Sequence, residues 1–281
     1  MHELIAFVGG GNMAASLIGG LLASGHPAAR LRVAVRTADS AARLRGRFGV
    51  EVLTDSAQAI RGADIVVLAV KPQQMAEALR GLRVEPGATV ISVAAGVRVA
   101  TLAQWLGTTA VVRAMPNTPA LFRCGISGLY ADPTLPAISR QRAERVLGCV
   151  GETCWVPSEE QIDAVTALSG CGPAYYFLLT EVLRDAGAAL GLDPAVAAQL
   201  ARSTFIGAAQ MARDAGEDVA VLRAQVTSKG GSTEAALAHL EAAGLGRIFQ
   251  EALAAADRRA QLRGEELAQL AASPTTRQES I

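Results

Sequence analysis

The stretch IAFVGGGNMAASLIGGLL, Ile5 to Leu22, decides the fold. A run of β-branched and aromatic residues stops at Gly9, Gly10 and Gly11, and apolar residues then recur at helical spacing. A strand therefore passes through a tight turn directly into a helix. The turn reads G-x-G-x-x-A, with Gly9, Gly11 and Ala14 at the fixed places and Asn12 and Met13 between them. Glycine at position 9 permits the turn, the missing side chain at Gly11 lets the backbone approach a pyrophosphate, and Ala14 keeps helix and sheet close. A pyrophosphate so placed lies on the positive end of the helix. The alternative is a glycine-rich turn without a ligand; its place at the start of a βαβ pattern favours the nucleotide reading.

Further along, LRVAV, DIVVLAV, ATVISVAAG and TAVVRAM are short β-branched runs separated by helical stretches, as far as about Gly151. That alternation predicts a doubly wound, mostly parallel sheet with helices on both faces. Past Pro157 the β-branched runs give way to Ala, Leu, Glu and Arg, with Val182, Ala186, Ala189 and Leu190 at helical spacing. Asp193-Pro194 reads as an N-cap followed by proline at the first helical position. The expected organisation is an α/β domain over 1–157, an all-helical domain over 158–273 and a polar tail over 274–281, expected to fray.

The 281 residues are 51% hydrophobic and 19% charged, with 26 basic and 26 acidic side chains in no long run of one sign. This balance gives no reason to expect nucleic acid or an acidic membrane as partner. No apolar run approaches the roughly 18 residues a bilayer needs, and no secretory leader is evident. The four cysteines, Cys124, Cys149, Cys154 and Cys171, match no metal-site or disulfide spacing. They read as reduced thiols of a cytoplasmic protein.

The second strand ends in Arg36-Thr37, where an NAD-selective site carries Asp or Glu for the ribose 2′-hydroxyl. A guanidinium and a hydroxyl there suit a 2′-phosphate, so NADPH is the expected donor. Asp39 nearby leaves NADH some use, and a solvated loop arginine is the plain alternative. Val70, Lys71 and Pro72 end one strand, and Ala94, Ala95 and Gly96 another, on the edge that faces a ligand crevice. Lys71 reads equally as a ribose or pyrophosphate contact and as a surface lysine.

Two segments do not look like scaffold. RAMPNTPA, Arg113 to Ala120, holds its backbone rigid with two prolines after the last strand, as a ring-positioning wall or as an ordinary connector. In VTSKGGSTEAALAHL, Val226 to Leu240, Gly230 and Gly231 precede Ser232-Thr233 at a helix start, with Glu234 in the first turn. This is either an anion site built from free amides or simple N-capping by Ser232 or Thr233. His2, His26 and His239 lie outside these segments, and no catalytic triad, carboxylate pair or metal-ligand set is apparent. Few acids and bases suit a redox enzyme whose cofactor carries the chemistry.

Together IAFVGGGNMAASLIGGLL, AVKPQ, RAMPNTPA, LSGCGPAYYF and VTSKGGSTEAAL give the chain, over nearly its whole length, a resemblance to pyrroline-5-carboxylate reductases. The resemblance implies an NADP-binding Rossmann domain, a helical domain that dimerises, and assembly into a larger oligomer such as a decamer. It implies reduction of 1-pyrroline-5-carboxylate to L-proline, without a metal, by hydride transfer to the imine carbon. It places the substrate carboxylate on Gly230, Gly231, Ser232 and Thr233 with Ser228 as a second contact. Thr233 takes the catalytic place near the substrate nitrogen, and Met115 and Asn117 line the nicotinamide side. Lys229, Cys171 and Asp218-Val219 depart from the family pattern. The rival readings are a 3-hydroxyacid-type dehydrogenase, whose catalytic lysine is missing from SGCGPAYYFLLTEVL, and a non-catalytic NADPH-binding regulator.

Overall fold

In the computed structural model, which describes residues 2–272, the strands carry apolar residues on both faces and so demand cover on both sides. Ile5, Phe7, Val33, Val67 and Ile91 point to one side and pack with Leu17 and Ile18. Ala6, Val8, Val66, Leu68 and Val90 point to the other and meet Met75, Leu79, Leu102 and Leu106. The period of two thus splits one sheet between two cores. Phe7 is fully buried, and truncation to alanine there would cost about 3–5 kcal/mol.

The strands are β1 (Ile5–Val8), β2 (Leu31–Ala34), β3 (Glu51–Leu53), β4 (Ile65–Leu68), β5 (Thr89–Ser92), β6 (Val111–Met115), β7 (Gly125–Ala131) and β8 (Gly151–Trp155). They form one eight-stranded sheet in the order β3-β2-β1-β4-β5-β6-β7-β8. The sheet is parallel through β6, while β7 runs antiparallel to β6 and parallel to β8. Every β-branched run read from the sequence is a strand. β3, β7 and β8 were not foreseen, because β3 is short and the other two contain glycine and polar residues. Gly128 in β7 is required by packing: a Cβ there would lie 2.6 Å from Val165 Cγ1.

Around the sheet lie α1 (Asn12–Ala23), α2 (Ala38–Phe48), α3 (Ser56–Ile60), α4 (Met75–Ala78), α5 (Val99–Leu106), α6 (Ala137–Gly148) and α7 (Gln161–Val165). A π-helical turn, Thr166–Gly170, follows α7. Next come α8 (Gly172–Ala189), α9 (Pro194–Asp214), α10 (Val219–Gln225), α11 (Ser232–Ala242) and α12 (Leu245–Ala272). The chain divides into a unit reaching to Cys171, joined by the chain from Ala256 onward, and a helical unit, Gly172–Ala255. Within the first unit Leu267 packs on the second core, next to Gly96. The expected tail, 274–281, lies outside the described residues.

In the helical unit Asp193 caps α9, accepting from the amides of Ala195 and Val196, with Pro194 first in the helix. Gly187 lets α8 approach Ala197 of α9, and Tyr176 stacks on Phe205 at 5.6 Å. The apolar spacing read from the sequence is helical, but its residues face outward: Val182 is 56% exposed and Leu190 88%. Tyr176, Phe177, Leu183, Leu200 and Ile206 are exposed as well. So much uncovered apolar surface on one unit marks an interaction face.

Candidate functional site

A cavity of about 580 Å³ opens at the carboxyl edge of the sheet, lined by the ends of β1, β2 and β4. Strand order reverses at β1, the position where open α/β sheets take a ligand. Gly9 adopts φ +103°, and a Cβ on it would come within 2.8 Å of the Ala69 carbonyl carbon and oxygen. Its amide donates to Ala34 O at 2.9 Å, which fixes the turn. Gly11, by contrast, would meet nothing within 4 Å if it carried a Cβ, so the space above it is open. α1 begins here without a side-chain cap, which leaves its first amides free for an acceptor from outside. Asn12 is exposed, Met13 packs on the first core and Ala14 is buried. The last two can offer a ligand their backbone but not their side chains.

At the far end of the same cavity lie Arg36, Thr37, Ser40, Arg43, Thr54 and Ser56. Thr37 caps α2, its Oγ1 accepting from the Ser40 amide at 3.3 Å. Arg36 and Arg43 form no ion pair among the described residues. Sequence reading missed Arg43 and Ser40. The signal was available, since Arg43 stands one turn after Ser40 on the helix that Thr37 starts, and residues three apart share a face. Asp39 does not line the cavity. Val70 and Lys71 do line it, whereas Pro72 starts the 3-10 turn leading into α4.

Met115, Asn117, Ala94 and Ala95 lie outside this cavity. Ala94 is buried in the second core. The Asn117 amide is held by backbone at both ends: Nδ2 donates to Ser169 O at 3.2 Å, and Oδ1 accepts from the Ile126 amide at 3.0 Å, which leaves one N–H and one lone pair open. Met115 lies against Gly170, where an added Cβ would meet its Cε at 2.8 Å.

In the helical unit, Ser228 to Thr233 form one turn at the start of α11. The capping residue is Gly231, and neither Ser232 nor Thr233 makes a capping hydrogen bond. Instead the Glu234 carboxylate reaches back and accepts from the Gly230 amide at 2.7 Å. The hydroxyls of Ser232 and Thr233 are exposed, beside their own first-turn amides with no partner inside the helix, whereas the Gly231 amide donates to Ser228 O at 3.0 Å. Gly230 holds φ +71°, and Gly231 is tight against the Ser228 side chain. Lys229 is exposed and forms no ion pair among the described residues. Asp218 caps α10 by accepting from the Ala220 amide at 2.7 Å, so this departure has a local structural use. Among the described residues no group of His, Cys, Asp or Glu could hold a metal ion.

Comparison with known proteins bears on both parts. The family described as pyrroline-5-carboxylate reductase dimerisation matches residues 159–262, and that described as NADP oxidoreductase coenzyme F420-dependent matches residues 4–96. The chain is 47% identical over 268 residues to a pyrroline-5-carboxylate reductase of Pseudomonas aeruginosa, spanning 94% of this chain and 98% of that one. A solved pyrroline-5-carboxylate reductase from Coxiella burnetii superposes with a TM-score of 0.87 at 40% identity, covering 95% of this chain and 99% of that one. A pyrroline carboxylate reductase of Plasmodium falciparum, solved with NADP bound, gives 0.76 at 25% identity, covering 93% and 98%.

Proposed function

The chain belongs to the pyrroline-5-carboxylate reductase family, and from that membership we propose that it reduces 1-pyrroline-5-carboxylate to L-proline with NADPH, the final step of proline biosynthesis. The observation that carries the cofactor reading is that one cavity brings together the Gly9–Gly11 turn and Arg36 and Arg43, which form no ion pair among the described residues. Gly9, Gly11 and the amides of Asn12, Met13 and Ala14 would hold the pyrophosphate. Arg36 and Arg43, with Thr37 and Ser40, would hold the 2′-phosphate, leaving NADH the weaker donor. Val70, Lys71 and Pro72 are assigned to the ribose side, and Ala94, Ala95, Met115 and Asn117 to the nicotinamide side.

Bound NADPH supplies a hydride from its nicotinamide ring. The imine takes it at C5 while its nitrogen carries a proton from solvent, so the C=N bond becomes the secondary amine of proline. At the start of α11, the hydroxyls of Ser228, Ser232 and Thr233 and the first-turn amides of Ser232 and Thr233, shaped by the Gly230–Gly231 turn, would hold the substrate carboxylate, and the Thr233 hydroxyl would hydrogen-bond the ring nitrogen. The exposed hydroxyls of Ser232 and Thr233 at the uncapped helix start support this assignment. The 3-hydroxyacid dehydrogenase reading is not favoured, since α8 contains no lysine to act as its base.

The uncovered apolar face of the helical unit supports a homodimer, and a decamer built from five such dimers is the expected larger assembly. Its place of work is the cytoplasm, where the four free cysteines stay reduced. No described helix is long and apolar enough to cross a membrane.

The deciding experiment follows NADPH oxidation with 1-pyrroline-5-carboxylate and identifies proline as product, with Thr233→Ala alongside and light scattering for the assembly. Turnover with NADPH that falls in Thr233→Ala supports the proposal. Binding of NADPH without turnover in the parent protein would sink it in favour of a regulatory role.

A further inference from the structure

Arg113, at 1% exposure, is the largest fully buried side chain among the described residues, set in β6 between the apolar Val112 and Ala114. Its guanidinium divides between two carboxylates: Nη1 donates to Glu159 Oε1 at 3.2 Å and Nη2 to Asp163 Oδ1 at 2.9 Å. Asp163 also accepts from Arg98 at 3.2 Å, and Glu159 Oε1 accepts from the Val99 amide at 2.8 Å. Such a buried network is weak grounds for stability, because apolar packing of the same volume does as well. What it does supply is geometry.

The network clamps three segments. Arg98 and Val99 close the loop that follows Ala94 and Ala95 after β5. Arg113 precedes Met115 and Asn117 at the end of β6. Asp163 lies on α7, which runs into the π-helical turn carrying Ser169 and Gly170. A π turn is rare and concentrates at functional sites. The clamp continues outward through Asn117 to Ser169 and Met115 to Gly170. These strand ends lie past the switch point from the Gly9–Arg36 cavity, on the side where the nicotinamide half of a dinucleotide extends.

We propose that Arg113 is a positioning residue for hydride transfer: through Glu159 and Asp163 it holds the 94–98 loop and the Met115–Asn117 segment in the register that seats the nicotinamide ring, while the 2′-phosphate end is bound independently. This rests on the NADPH-dependent reading given above.

The test compares wild type with Arg113→Lys, which keeps the charge but cannot span both carboxylates, and with Glu159→Gln on the more exposed side of the network. Turnover of wild type is measured first; its absence counts against the reductase reading and leaves the clamp to be judged by binding. Binding of 2′,5′-ADP, which occupies only the phosphate end, is expected to be unchanged in both variants. The blue-shifted, anisotropic emission of bound NADPH, which reports a confined nicotinamide, is expected to be lost in Arg113→Lys. Its kcat should fall about 30- to 100-fold with little change in KM for NADPH, as misplacement of reactants by about an ångström predicts. The isotope effect with 4-deuterated NADPH should rise as hydride transfer becomes limiting. If Arg113→Lys fails to fold, Glu159→Gln should show the same split at smaller amplitude. Wild-type emission and kcat in a folded Arg113→Lys would overturn the proposal. So would loss of 2′,5′-ADP binding in parallel with kcat, since that means general collapse of the domain.

Discussion

Removing Arg36 and Arg43 together tests the cofactor reading most directly. Both guanidiniums line the far end of the nucleotide cavity and neither is held by a carboxylate among the described residues, so each is free to meet a phosphate. A hydrogen bond to a charged group contributes about 1.5–3 kcal/mol, and at these exposed positions the lower end applies. That corresponds to about tenfold in affinity per guanidinium. The two would share one phosphate, so they couple: the first removal is partly offset by the remaining cation, and the second is felt in full. We expect kcat/KM for NADPH to fall about five- to tenfold in Arg36→Ala or Arg43→Ala and about a hundredfold in the double variant, with NADH little affected. The assay is kcat/KM for each nucleotide at saturating 1-pyrroline-5-carboxylate, repeated at high salt, where the NADPH preference of wild type should shrink. A double variant that keeps its NADPH-to-NADH ratio, or loses both nucleotides equally, would refute the reasoning.

Gly9→Ala combines a φ of +103° with a Cβ 2.8 Å from the Ala69 backbone, so it should abolish NADPH binding and lower stability by about 1–3 kcal/mol or more, read by titration and urea melts. Burial, only partly opposed by the hydrogen bond involving the Arg30 backbone, holds the His26 pKa below its ordinary 6.5. The unfolded chain then binds the extra proton first, so stability should decline as pH drops through 6.5, and His26→Gln should flatten that slope in melts on either side. Burial pushes the Cys149 thiol up to about 12, so it should be the slowest of the four cysteines to react with a thiol reagent at mildly alkaline pH. Between its ordinary 9.0 and about 12 only the unfolded chain gives up that proton, and stability should fall as pH rises through that window; faster labelling of Cys149 than of exposed Cys124 would contradict this.

The sequence by itself determined the parts that rest on local rules. The β-branched runs became β1, β2, β4, β5 and β6, the Gly9–Ala14 turn joined strand to helix, and Asp193-Pro194 opened α9, because period and turn chemistry act over a few residues. Tertiary structure decided what depends on distant partners. β7 and β8 carry too much glycine and polarity to announce themselves, and exist because β6 and Val165 provide a pairing edge and a packing surface. Arg43 joined Arg36 only when α2 turned its face to the cavity. Arg113 read only as the first residue of a rigid segment, ring-positioning wall or connector, and its ion pairs came from folding against Glu159 and Asp163, 46 and 50 residues away along the chain. Whether Val182 and Leu190 were buried or exposed was likewise beyond a periodic pattern. Helical spacing records that a face is apolar, whereas its cover is set by whatever surface comes to lie against it.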